Sequence, residues 1–178
     1  MKKILFSLVL IITFGCNAQK KEVNAVKDEA GNLVGVADKN SFLNDEEFNE
    51  WFSFNYEDYS TDKNVIEKLK NVINKDISIK AFMGTWCGDS QEQIPVFYKV
   101  LDEAGFDYAK LEMITVNRSK KTPDNLQEGL DIERVPTFIF YNKEGKEMGR
   151  FVEYPRETIE ADFLKIVSGL TYKHSYED

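Results

Sequence analysis

Histidine occurs once and cysteine only twice in this chain of 178 residues. His174 lies in a polar tail with no aspartate two or three residues before it, so a Ser-His-Asp triad has nothing to assemble from. No grouping of cysteine and histidine has metal-ligand spacing, and no metal is expected. Basic residues are also short, with 23 Lys and Arg against 31 Asp and Glu and a formal charge of −8. That balance disfavours nucleic acid as a partner. Apart from one stretch near the start, long apolar runs are missing, and that stretch falls short of the ~20 residues a bilayer-spanning helix needs. Internal repeats are absent. What is present is an ordinary globular composition with somewhat abundant aromatics, long enough for one well-cored domain behind a leader.

The leader comes first. Lys2 and Lys3 precede the apolar residues 4–14, a pattern that reads as an export signal over residues 1–15. Thr13-Phe14-Gly15-Cys16 resembles the lipobox of bacterial lipoproteins, with threonine where leucine is usual. That resemblance makes Cys16 the lipid-attachment residue; cleavage as an ordinary signal peptide near Ala18 is the alternative. Asn17, rather than aspartate, implies the outer membrane. The expected location is therefore the bacterial cell envelope, lipid-anchored and facing the periplasm. An acylated Cys16 cannot enter a disulfide, which leaves Cys87 unpaired in an oxidising compartment, where structural thiols tend to be paired. Chemistry explains such a thiol more readily than packing does.

Residues 16–40 read as a polar tether with one strand at 33–36, and residues 41–178 as the domain. Asn44 or Asp45 caps a helix carrying Phe48, Trp51 and Phe52, and residues 54–59 read as a solvated loop, with a partner surface as the alternative. Thr61 or Asp62 starts a second helix with Val65, Ile66, Leu69, Val72 and Ile73 at helical spacing. Residues 77–83 form a buried central strand. A helix over 90–104 follows, with Gly105 as its C-cap and Ser90 and Gln93 as a capping box. A strand at 111–116, a short helix from Thr122 through Leu130, a strand at 137–141, a turn at 142–145, a returning strand at 146–152 and a helix at 156–168 complete the order. Only the last residues look frayed.

Between the strand at 77–83 and its helix lies Gly84-Thr85-Trp86-Cys87-Gly88-Asp89-Ser90. A tight turn feeding a helix puts Cys87 at the helix N-terminus, where free backbone N–H groups and the positive dipole end favour a thiolate. Asp89 partly opposes that effect. Gly88-Asp89-Ser90 resembles the nucleophile motif of some esterases, but no usable histidine accompanies it.

Trp86-Cys87-Gly88-Asp89-Ser90 resembles the Trp-Cys-Gly-x-Cys active site of the thioredoxin superfamily, with Ser90 in place of the second cysteine. Pro95 matches the proline that kinks the family's active-site helix, and Val135-Pro136-Thr137 is similar to its cis-proline loop. The resemblance covers about residues 76–169 and implies an α/β, thioredoxin-like, three-layer α/β/α fold around a central mixed β-sheet. It also implies Cys87 and Ser90 as catalytic positions and Trp86, Val135 and Pro136 as substrate-binding ones. The family's buried aspartate is replaced by Ala81. Monothiol glutaredoxins hold an iron–sulfur cluster through a Cys-Gly-Phe-Ser motif that this chain lacks, so no cofactor is expected. Two functions fit: thiol–disulfide exchange or isomerisation on exported proteins by a lipid-anchored monomer, or a non-catalytic binding or chaperone-like module.

Overall fold

The computed structural model describes residues 22–178, so the leader and Cys16 lie outside the described residues. Six strands, β1 (Val26–Lys27), β2 (Leu33–Ala37), β3 (Ser78–Met83), β4 (Leu111–Thr115), β5 (Thr137–Tyr141) and β6 (Glu147–Val152), form one sheet in the order β1-β2-β4-β3-β5-β6. β3 and β4 run parallel, with Ala81 opposite Met113, and all other neighbours are antiparallel. Among the described residues five α-helices accompany them: α1 (Lys39–Leu43), α2 (Glu46–Asp58), α3 (Lys63–Lys70), α4 (Gly88–Ala104) and α5 (Ile159–Val167).

Alternation along the strands divides the interior into two cores. Ile79, Ala81, Met83, Met113, Phe138, Phe140 and Phe151 face the buried hydrophobes of all five helices. At the centre of that core the Phe163 ring meets Phe97, Phe138, Phe140 and Phe151 edge-on, with centroids 4.8–6.0 Å apart. The opposite face, with Phe82, Ile114, Val116, Val135 and Ile139, packs against Trp86, Cys87, Leu126, Leu130 and Ile132. The α/β thioredoxin-like class is therefore present, but a looped segment rather than a helix covers this second face.

The reason is local. The expected helix from Thr122 through Leu130 is a run of turns, with Asn125, Gly129 and Asp131 at φ of 52°, 74° and 51°. No helix accommodates left-handed residues at that spacing. The Leu126 N–H, which a helix would give to the Thr122 carbonyl, goes instead to Thr122 Oγ1 at 2.9 Å.

Three other expectations are corrected. Residues 24–37 are not tether: β2 is buried throughout and pairs with β4, Gly35 opposite Thr115, so the sheet begins well before residue 41. Residues 54–58 belong to α2, whose last carbonyls have a cation beneath them. Lys99 Nζ donates to Tyr56 O at 2.8 Å and to Tyr59 O at 2.6 Å. Finally, the C-terminal residues are docked, as described below.

Pro95 sits inside α4 and leaves the Gln91 carbonyl without its helical donor. Asn55 of α2 supplies one, Nδ2 to Gln91 O at 3.2 Å, while also donating to Trp51 O. The helix that carries the cysteine is thus tied to α2 at the point where its own ladder is broken.

Candidate active site

Residues 84–87 are held in a turn by a Cys87 N–H to Gly84 O bond of 2.9 Å. Gly84 permits it: a Cβ there would stand 2.5 Å from the Trp86 ring. The turn is pinned on every side. Trp86 Nε1 donates to Val116 O at 2.9 Å, Gln91 Nε2 to Thr85 O at 2.7 Å, and the Leu33 N–H to Thr85 Oγ1 at 3.1 Å. The last bond ties β2 to the turn, a link that no local pattern announces. The Arg118 guanidinium lies over the Trp86 ring, 5.4 Å from its centroid.

Cys87 is the N-cap of α4, and its side chain makes no capping bond. The sulfur is partly exposed and carries a free thiol. Its hydrogen-bond partner is Val135 O at 3.3 Å, and Asp89 Oδ2 lies 3.9 Å away. Val135–Pro136 is a cis peptide bond. The turn that ends β3 and the loop that starts β5 therefore meet at the sulfur.

Ser90 is placed differently from the sequence expectation. It is fully buried, and its hydroxyl accepts the Gly84 N–H at 3.3 Å. The capping box with Gln93 does not form, because the helix begins two residues earlier. Ser90 thus braces the turn from beneath, while the sulfur turns to Val135. Trp86 is half-buried at the rim, and the Val135 side chain is buried at 2% exposure, which leaves backbone as its contribution to any surface. Among the described residues no cluster of His, Cys, Asp or Glu could hold a metal. No helix among them is long and apolar enough to cross a membrane.

A mixed sheet with a parallel β3–β4 pair, an antiparallel β5–β6 hairpin, and a cysteine opening the long helix after β3 defines a thioredoxin-like α/β protein. The chain belongs to the thioredoxin family, whose model matches residues 37–164. Among solved structures, a protein of unknown function from Pseudomonas aeruginosa is 17% identical at a TM-score of 0.58, with 75% of this chain and 93% of that one covered. An HIV epitope-scaffold is also 17% identical at 0.58, covering 76% and 94%. Thioredoxin from Fasciola hepatica is 24% identical at 0.33, covering 49% and 77%. The likenesses at 0.58 speak for the fold alone. No curated protein matches the chain.

Proposed function

We propose that the protein carries out thiol–disulfide exchange through Cys87 alone. The observation that carries this reading is a partly exposed thiol at the start of α4, 3.3 Å from the carbonyl that precedes Pro136. In the reaction the Cys87 thiolate attacks one sulfur of a client disulfide. A Cys87–client disulfide forms, and the other client sulfur leaves as a thiolate. Ser90 cannot expel the client, so resolution falls to an external thiol or to the client's own freed thiolate, which makes isomerisation the natural outcome. An extended client segment would pair with backbone at Val135 beside Pro136, as in strand addition, with Trp86 as an apolar flank. Thiol trapping tests this: wild type should yield covalent client adducts and Cys87→Ser none.

The same domain could serve as a client-binding module without turnover, which the bond between the Cys87 thiol and Val135 O favours because it occupies both groups. An unreactive Cys87 with retained peptide binding would select that reading.

We also propose that the protein is lipid-anchored in the cell envelope through Cys16, facing the periplasm and acting on exported proteins. Support comes from Lys2-Lys3, the apolar residues 4–14 and Gly15-Cys16. Wild type should sediment with membranes, and Cys16→Ser should appear in the soluble fraction.

A further inference from the structure

The C-terminal tail folds back onto the loop that faces Cys87. Tyr172 Oη donates to Asp162 Oδ2 at 3.1 Å, Ser175 Oγ donates to Tyr154 O at 2.6 Å, and the Arg156 guanidinium donates to the carbonyls of His174 and Glu177. These bonds deliver Tyr176 to one spot. The Arg134 guanidinium lies over its ring, 3.9 Å from the centroid, and its hydroxyl donates to the Glu153 carboxylate. Glu153 in turn takes Arg134 Nη1 at 3.4 Å and gives its backbone N–H to Pro136 O at 2.8 Å. Glu153 makes this backbone bond from a left-handed φ of 59°, a conformation uncommon for a residue with a side chain.

Tyr176 therefore contacts Arg134, which precedes Val135–Pro136, and is linked to Pro136 through Glu153. Thr137 Oγ1 to Arg134 O, at 2.7 Å, closes the loop from within. We propose that Tyr176 is a positioning residue that sets the backbone of residues 134–136 for an extended client peptide. The proposal rests on the exchange reading above for its client, but not for its structural consequence. A small disulfide that needs only the sulfur should be indifferent to Tyr176, whereas a peptide that must align along residues 134–136 should not be.

Two measurements decide it. The first needs no chemistry at the thiol: amide exchange at Glu153 should run about tenfold faster in Tyr176→Ala, and also faster than wild type in Tyr176→Phe, which keeps the ring on Arg134 but loses the hydroxyl bond to Glu153. Unchanged exchange in Tyr176→Ala would overturn the proposal whatever Cys87 does. The second follows Cys87 with 5,5′-dithiobis(2-nitrobenzoate) and with an extended peptide whose cysteine carries thionitrobenzoate. In the peptide reaction a Cys87–peptide disulfide forms, thionitrobenzoate leaves with the electron pair, and the thiol proton passes to water. Tyr176→Ala should keep the small-reagent rate within about twofold and need about fivefold more peptide for half-saturation, with a similar limiting rate. Equal peptide saturation in both proteins would overturn the proposal. A wild type inert to the small reagent would instead sink the exchange reading and leave the amide measurement to decide the role of Tyr176.

Discussion

The Cys87 sulfur and the Val135 carbonyl oxygen lie 3.3 Å apart, although 48 residues separate them in the chain. β3 and β5 are adjacent, so the turn after one and the loop before the other open on the same side of the sheet. The sheet register places the Cys87 sulfur beside this carbonyl, and several consequences can be measured.

Asn55 completes the hydrogen bonding that Pro95 interrupts. Asn55→Ala removes its bonds to Gln91 O and Trp51 O, should cost about 1–3 kcal/mol, and should lower the midpoint of urea unfolding without changing its slope. A midpoint equal to that of wild type would mean that Gln91 O is satisfied without Asn55.

Gly84 lets the Trp86 ring lie against the backbone. Gly84→Ala forces a Cβ to within 2.5 Å of that ring, so the indole must leave its bond to Val116 O. The expected loss is about 1–3 kcal/mol, as for other overpacked sites. The Trp86 fluorescence should also change, whereas an unaltered spectrum and stability would contradict this packing.

Asp102 accepts from Lys39 Nζ, Tyr56 Oη and Tyr108 Oη. Burial pushes its carboxyl up, but these three donors together hold it below the ordinary 3.8. A folded value below the unfolded one gives stability that is present above about pH 4 and lost as pH falls through the folded value. Asp102→Asn should therefore be less stable than wild type at pH 7, and the gap should close towards pH 3. A gap constant across that range would remove Asp102 from acid unfolding.

How far the site was legible in the sequence follows from the range of each interaction. Strands β3 to β6 and helices α2 to α5 follow from apolar periodicity and caps such as Asp45 and Asp62, which act within a turn of the chain. The segment after β4 was misread because Thr122-Pro123-Asp124 is also a helix start, and only the left-handed residues further on decide against it. The capping box expected at Ser90 fails for a different reason. A serine followed three residues later by glutamine looks like a helix cap, but the helix starts at Gly88 and the buried hydroxyl accepts the Gly84 N–H. The tail appeared frayed because its anchors, Asp162, Tyr154 and Arg156, become neighbours only after α5 docks.

The brace role of Ser90 leads to a further test. Ser90→Cys places a second thiol three residues after Cys87 on the same helix. Under mild oxidant it should lose two hydrogens by mass spectrometry, and mixed disulfides at Cys87 should become shorter-lived as the new thiol expels the client. If the variant stays a dithiol, the two side chains do not converge. Ser90→Ala strips the acceptor from a buried N–H and should cost about 1–3 kcal/mol.

Asp89 stands 3.9 Å from the sulfur and is exposed. Asp89→Asn should accelerate reaction with the dianionic 5,5′-dithiobis(2-nitrobenzoate) by about two- to fivefold at low salt, and the gain should fade near 1 M salt. A gain that ignores salt would point to a cause other than charge.

The reactivity of Cys87 in the folded state is decisive. Purified protein is incubated under nitrogen with a peptide disulfide, alongside the same protein unfolded in urea, and adducts are mapped by mass spectrometry. Exchange chemistry built into this fold predicts a peptide adduct at Cys87 that forms faster in the folded protein than in the unfolded one, and none in Cys87→Ser. A folded protein that stays unmodified while its unfolded form reacts would contradict it, because the site would then be shielding a thiol rather than using one.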